Sequence, residues 1–559
     1  MGIYLNGTTA YTLYKSETVK PYFIDKTLML EQLFPLVNEG NNYICITRPR
    51  RFGKTVTANM IAAFFSKAKN AEDIFDKCKI SANPICTKYQ NQYSVIHISF
   101  NDLPKRCTSY EKYIDRIENR LIKDLRLEYP DVEISEDEAV WDVLNEIYAY
   151  DINARFIFVF DEWDFIFHQD FITEQDKKDY LLFLRNLLKD RPYVLLAYIT
   201  GILPIAKYSS GSELNMFMEY TMISEEKFSD AFGFTDSETD ELYKRYEKNT
   251  KHKNVSREGL RIWYNGYHTF RGESVYNPRS VVFALTNNNL ASYWTSSGPY
   301  DEIYYYIEHN IDDVRDDLAL MVSGEAVPAK IQEYAATSMK LTTRDEIFSA
   351  MVVYGFLNFE NGKVSIPNKE LMDKFAAMLQ KEPSLGYVYR LAHESERMLY
   401  ATLHGDTKTM NEILEYVHNT EIPLLSYNYE TELSAIVNLI YLAARDLYQV
   451  EREEKAGIGY VDFIFYPYDK TADCLILELK VDHTPEEAIK QIIEKKYAMK
   501  FQGKIGQKPL YTGRILAVGI SYDKKNKVHA CKVQELEKVS KFCWIGKTDE
   551  TTKSHRPYL

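Results

Sequence analysis

Cysteine is sparse in this chain. Seven are scattered over 559 residues, an odd number with no C-x-x-C pair. That pattern excludes a disulfide framework or a zinc ribbon as the organising device and fits a reducing cytoplasm. No apolar run reaches membrane-spanning length. The N-terminus has no basic start followed by an apolar core, so no signal peptide is expected. Asn6 stands where a myristoylation signal needs Ser or Thr. Positive charge is in deficit, with 68 Lys and Arg against 81 Asp and Glu and a net charge of −13. A nucleic-acid coat protein would be basic, so contact with nucleic acid must come from a local patch. Internal repeats and low-complexity linkers are also missing. What remains is an ordinary globular composition, 45% hydrophobic and 27% charged, at a length that predicts three or four domains.

The order of elements is informative. Apolar strands are expected at 42–47, 93–100, 155–160 and 193–200, with helical patterns between them. Such alternation predicts a parallel sheet covered on both faces over residues 1–220. Residues 221–420 turn mostly helical. Within them 345–379 read as helix, hairpin, helix, the order of a winged helix and equally of a hairpin packed on a helical bundle. The "ENGK" turn suits a tight hairpin. From 421 to 545 a helix, two apolar strands, a helix and another strand predict a second α/β domain. The whole is read as α/β.

A phosphate-cradling loop runs G-x-x-x-x-G-K-[ST] between a strand and a helix. The window here is Arg48-Pro49-Arg50-Arg51-Phe52-Gly53-Lys54-Thr55, with arginine where glycine is usual. Arginine at that place adds bulk but also a charged donor for phosphate. Further along, "RFIFVFDEWD" ends an apolar strand in Asp161 and Glu162. A strand-end Asp can help hold Mg²⁺, with Thr55 of the loop, and a neighbouring Glu can polarise the attacking water. Thr200 closes another core strand, where it can sense a terminal phosphate. All three stand on the carboxyl edge of one sheet, the ligand side of such folds.

"PYFIDKTLMLEQL", "ITRPRRFGKT", "VFDEWD", "YITGILPIAK", "FGFTDSETDEL", "WYNGYHTF" and "YNPRSVVFAL" together resemble the prokaryotic AAA-ATPase-like proteins. The resemblance covers most of residues 1 to about 300. It implies a P-loop NTPase domain that binds ATP and Mg²⁺, with Arg48 a trait of the family.

A second set of residues lies near the C-terminus. Asp462 interrupts one apolar strand, and Glu478 and Lys480 share one face of the next. Antiparallel pairing would set Asp462 beside Glu478. Paired carboxylates can bind Mg²⁺, and a lysine on the same face can orient water or offset charge, as phosphodiester cleavage requires. Glu430 lies on the apolar stripe of a helix with Leu433 and Val437, so it can supply a third carboxylate; Glu432 is its rival. Gln491 and Lys495 sit one turn apart on a later helix. From 488 to 514 seven basic residues, Lys490, Lys495, Lys496, Lys500, Lys504, Lys508 and Arg514, face one acid, Glu494, with Tyr497, Phe501 and Tyr511 among them. Basic residues interleaved with aromatics suit a nucleic-acid strand, and equally a solvated helix and loop.

"SYNYETELSAIV", "VEREEKAGIGYVDFIFYP", "LILELKVDHTPEEAIKQIIEKKY" and "RILAVGISYDKKNKVHACKV" resemble the PD-(D/E)XK nuclease superfamily. The resemblance implies a restriction-endonuclease-like fold, metal-binding roles for Glu430, Asp462 and Glu478, water activation by Lys480 and support from Gln491. Val461 replaces the proline of the signature, a position that shapes backbone. The expectation is an ATPase coupled to a Mg²⁺-dependent nuclease acting on DNA or RNA, with no membrane association, an oligomer left open, and mobile-element or defence biology as the family-level setting. Two alternatives carry the same motifs: a nucleotide-switched scaffold with a silent nuclease fold, or a nuclease beside a pseudo-ATPase.

Overall fold

The computed structural model describes residues 2–39, 42–68, 72–135, 138–205, 213–223, 226–294, 311–331, 341, 343–381, 383–421, 430–456, 459–501, 510–540 and 543–546. The chain divides into two compact units: residues 1–310 with 326–372, and residues 311–325 with 373–559. No described helix is long and apolar enough to cross a membrane.

The first unit is built on five parallel strands: β1 (Asn42–Thr47), β2 (Ser94–Ser99), β3 (Phe156–Asp161), β4 (Val194–Gly201) and β5 (Met218–Tyr220), in the order β2-β3-β4-β1-β5. The first four fall within a residue of the expected ranges. The short β5 escaped because three residues, "MEY", carry no apolar run. Alternate residues of each strand feed separate cores. Phe156, Phe158 and Phe160 pack on one face, and Ile157 and Val159 on the other. That two-sided burial is why the strands read as continuous apolar runs. Register brings the carboxyl ends together, with Asp161 paired to Thr200 and Ile46 to Thr200 on its other side.

The same unit continues through helices Asp236–Asn249, Arg257–Tyr264 and Pro278–Asn287, which share an apolar core with Tyr22, Ile24 and Phe234. The expected helix–hairpin–helix is present as Arg344–Tyr354, strands Asn358–Glu360 and Lys363–Ser365, and Lys369–Lys381. Asn361 and Gly362 both adopt positive φ, 51° and 78°, the requirement of a two-residue primed turn. Val327–Pro328 adds a third strand to the hairpin.

The second unit holds a six-stranded sheet: β6 (Tyr448–Ala456), β7 (Gly459–Pro467), β8 (Cys474–Val481), β9 (Ile515–Asp523), β10 (Val528–Ser540) and β11 (Cys543–Gly546), side by side in chain order. Every pairing is antiparallel except β8 with β9, which helix Pro485–Glu494 joins as a crossover. The expected long helix after residue 429 ends at Ile440 and gives way to a 3₁₀ turn, Leu442–Asp446. Helix Ile311–Val322 belongs to this unit although the first unit surrounds it in sequence. Its terminal carbonyls are capped from the sheet side: Arg445 donates to Val322, and Asn438 and Arg452 to Ser323, at 2.7–2.9 Å.

Candidate nucleotide and nuclease sites

β1 ends at Thr47, and helix Lys54–Phe65 begins at Lys54, so the loop from Arg48 to Gly53 turns on the sheet's carboxyl edge. Arg51 and Gly53 adopt positive φ, 70° and 93°. Lys54 is buried, and its Nζ donates to the carbonyls of Arg48 and Pro49 at 2.8 and 2.9 Å. Burial pulls this lysine down to about 8, opposed by Asp164, Asp161 and Glu162. Asp161 is 1% exposed, and neither carboxylate oxygen has a well-formed hydrogen bond among the described residues. Burial raises it to about 6, against the nearby Thr55 hydroxyl. Glu162 sits at φ 52°, a costly conformation for a non-glycine residue and one found mostly where function demands it.

Beside the loop lies a cavity of about 560 Å³, within the range that accommodates small-molecule ligands. Arg50, Arg51, Phe52, Gly53, Lys54 and Thr55 form one wall with Glu162. Tyr22, Phe23, Phe234 and Phe283 also line it, and such rings suit a flat base.

Two expected contacts turn inward instead. The Arg48 guanidinium is 2% exposed and donates to the carbonyls of Thr47, Tyr220 and Phe228, stacked over Phe232. The Thr200 hydroxyl donates to the Ile46 carbonyl at 2.8 Å. Positive charge at the cavity comes from other residues. Arg279, at the start of helix Pro278–Asn287, lines the cavity and lies close enough to Arg51 that burial, Arg279 and Arg50 together depress the Arg51 guanidinium. Asp164 accepts from the backbone N–H groups of Ile202 and Leu203 at 2.9 and 2.8 Å, tying the acidic strand end to the end of β4. A Cβ on Gly201 would meet Asp164 Oδ1 at 2.4 Å, so only glycine fits there. Trp294 donates from Nε1 to the Arg50 carbonyl at 3.0 Å and packs on Phe356. Asp164 lies within the acidic motif itself and Arg279 within "YNPRS"; Trp294 carries no sequence signal.

In the second unit, the pairing of β7 with β8 ends at Phe463 and Leu477, and Asp462 and Glu478 follow directly, close enough that the Asp462 charge acts on Glu478. Asp462 Oδ2 accepts from the Leu479 N–H at 2.7 Å. Glu478 is 2% exposed; its Oε1 accepts from Lys480 Nζ at 3.3 Å and from the Gln491 amide. Its Oε2 is buried without a hydrogen-bond partner among the described residues. Burial, then the charge on Asp462, raises Glu478 to about 7, with Lys480 opposing. Tyr497 donates from its hydroxyl to the Tyr460 carbonyl at 2.5 Å beside this group. Glu430 opens helix Glu430–Ile440, but its side chain and that of Glu432 lie outside the described residues. Among the described residues no cluster of three metal-ligating side chains forms, so Asp462 and Glu478 stand as a pair.

Residues 7–210 match the family described as Predicted AAA-ATPase, AAA-ATPase-like, and residues 429–531 match the PD-(D/E)XK nuclease superfamily. The chain therefore carries a AAA-ATPase-like domain and, towards its C-terminus, a PD-(D/E)XK superfamily domain. A curated relative, an uncharacterized protein in the vnfD 5′ region of Azotobacter chroococcum mcd 1, is 24% identical over 286 residues, 50% of this chain and 51% of that protein. The chain thus spans about half the length of that relative. Among solved structures, a Walker-type ATPase of Pyrococcus abyssi aligns at 10% identity and TM-score 0.34, covering 63% of this chain and 94% of that one. The ORC2 protein of Aeropyrum pernix aligns at 12% and 0.32, covering 67% and 94%.

The basic segment of the nuclease-like domain needs correction as a stacking platform. Tyr497 and Phe501 are 1% and 2% exposed, and Tyr511 packs on Phe501 and Tyr466, so these aromatics are core. The apolar faces of the helix and the following turn needed rings to cover the sheet. Lys490 pairs with Glu494 and Arg514 with Asp473, while Lys495 and Lys496 remain exposed; Lys504 and Lys508 lie outside the described residues.

Proposed function

We propose that the first domain binds and hydrolyses ATP and that the second is a divalent-metal-dependent nuclease whose activity the nucleotide controls. One observation supports both halves: each site holds a buried carboxylate with an oxygen that lacks a well-formed hydrogen bond among the described residues, within the electrostatic reach of a lysine. Buried carboxylates without partners are costly, and a cation relieves that cost.

In the first site Asp161 and Thr55 would hold Mg²⁺. Arg50, Arg51 and Arg279 face the cavity where phosphates would lie. Lys54 would leave the Arg48 and Pro49 carbonyls for the phosphates, and Glu162 would orient the attacking water. Arg48 frames the loop by holding the Tyr220 and Phe228 carbonyls, and Thr200 holds β4 to β1.

In the second site Asp462 and Glu478, with Glu430 as a candidate third ligand, would hold Mg²⁺, which when bound supplies charge to offset the phosphate. Gln491 fixes the Glu478 carboxylate, and Lys480 orients water or meets charge developing on the phosphodiester. Lys495 and Lys496 stand at the exposed end of the crossover helix, positioned for backbone phosphates. A role in mobile-element or defence biology is part of this proposal.

The test is cleavage of labelled DNA and RNA with Mg²⁺, with and without ATP, by wild type and Lys480→Ala. Equal survival of every substrate with both proteins defeats the nuclease half and leaves a nucleic-acid-binding scaffold. Phosphate release that Lys54→Ala does not lower defeats the ATPase half.

A further inference from the structure

The first unit carries a second concavity of about 620 Å³, bordering the nucleotide cavity across Lys20 and Phe23, which line both. Its walls carry Lys15, Lys20, Lys77, Lys79 and Arg245 against Asp25 and Glu241. The acids are already engaged. Asp25 accepts from the Thr27 N–H and hydroxyl and from the Lys79 N–H at 2.6–2.8 Å, and Glu241 pairs with Arg245. Arg245 is engaged too, donating to the Phe23 carbonyl at 2.7 Å. Lys20 pairs with Glu17 at 2.5 Å. The amines of Lys15, Lys77 and Lys79 form no ion pair among the described residues. They come from separate elements: helix Thr9–Thr18, the turn after Glu72–Phe75, and the 3₁₀ turn Lys79–Ala82.

In a chain of net charge −13, this concentration of positive charge, with Lys15 over the Tyr11 ring and no acid paired to the three amines among the described residues, suits a polyanionic partner. Compact anion sites converge arginine forks or backbone N–H groups on one point. Here exposed lysines are spread along a groove, which matches repeated charges along a polymer rather than one small anion. The exposed Val19 and the Phe23 ring edge add apolar surface for sugars or bases.

We propose that this groove binds the phosphodiester backbone of a single-stranded nucleic acid, contacted by Lys15, Lys77 and Lys79. It lies on the ATPase-like unit, so it stands apart from the nuclease reading and does not require cleavage. Because the groove and the nucleotide cavity share Lys20 and Phe23, a bound strand touches the wall against which the base of ATP would lie.

The test uses the full chain in chelator, so that no cleavage occurs, with fluorescent single strands of roughly 30 nucleotides, DNA and RNA, titrated across salt. Each lost phosphate contact lowers the slope of log K against log salt by about 0.7. The triple variant Lys15→Gln/Lys77→Gln/Lys79→Gln is expected to lose about 2 in that slope and about a hundredfold in affinity near 0.1 M salt. The triple variant Lys490→Gln/Lys495→Gln/Lys496→Gln serves as the comparison. A groove variant with wild-type slope overturns the proposal, as does a slope loss found wholly in the C-terminal variant. Displacement of the strand by inorganic tripolyphosphate at equal phosphate concentration also overturns it, because that marks a small-anion site. Unchanged thermal unfolding of the groove variant excludes misfolding as the source of its loss.

Discussion

The lysines of the two candidate sites are held in opposite ways. Lys54 is folded onto the carbonyls of its own loop, away from the orphaned Asp161 carboxylate. Lys480 already touches Glu478. The difference follows from topology. Parallel strands place their chemistry at separate strand ends, so loops must carry the cation to the acid. Antiparallel neighbours place an acid beside an acid by register alone, with the lysine two residues further along the same face. A site assembled by loops can hold alternative states; one assembled by register is largely preformed. In this protein the loop-built site is the one suited to respond to a ligand.

Several variants break or sharpen that contrast. The largest effects are expected at the lysines: Lys480→Ala should lower cleavage by about a thousandfold or more while ATP hydrolysis stays near wild type, and Lys54→Ala should cut phosphate release similarly. Single-turnover cleavage and phosphate-release assays separate the two. Arg48→Ala removes the donor from the buried carbonyls of Tyr220 and Phe228, and chemical denaturation should show a loss of about 3 kcal/mol from the first unit. If ATP affinity changes and stability does not, Arg48 is a phosphate ligand after all.

The pH response of the second site has a defined sign. Glu478 sits near 7 in the folded protein against an ordinary 4.5, so between those values the folded state holds a proton that the unfolded chain has released. Stability therefore falls as pH rises through that window. In metal-free protein at pH 8, Glu478→Gln should gain on the order of 1–3 kcal/mol, shrinking to nothing near pH 4.5. A gain that persists at low pH means packing rather than charge. Arg279→Ala should weaken ATP binding about tenfold by removing one guanidinium from the cavity. Trp294→Phe deletes only the hydrogen bond to the Arg50 carbonyl and should cost about 1 kcal/mol in nucleotide affinity, read by calorimetric titration.

Much of this was legible in the chain. The four main strands of the first sheet were, because strands buried on both faces must be apolar throughout. Asp161 was, because it closes an apolar strand on the sheet's carboxyl edge, and Asp462 and Glu478 were, because a carboxylate inside an apolar strand conflicts with its surroundings. The hairpin at Asn361-Gly362 was, because few residues accept two positive φ values in succession. Other features left no such trace. Arg48 looked like a phosphate donor, yet beyond the Thr47 carbonyl beside it, its guanidinium donates to the carbonyls of Tyr220 and Phe228, which only folding brings near. Tyr497, Phe501 and Tyr511 looked like a stacking platform, since an aromatic written among lysines reads the same whether it faces solvent or core.

The sequence by itself determined four of the five strands of the first sheet and three of the six of the second, the loop, the acidic strand ends and the two domain families, because each rests on periodicity, local backbone demands or a short motif. Tertiary structure alone decided which charges face a cavity and which are spent inside. Arg279 and Trp294 reach the loop from more than 200 positions away, and helix Ile311–Val322 joins a unit whose sheet begins at Tyr448. Side-chain direction depends on neighbours that the chain supplies only after long loops have closed, and that information is not local to any motif.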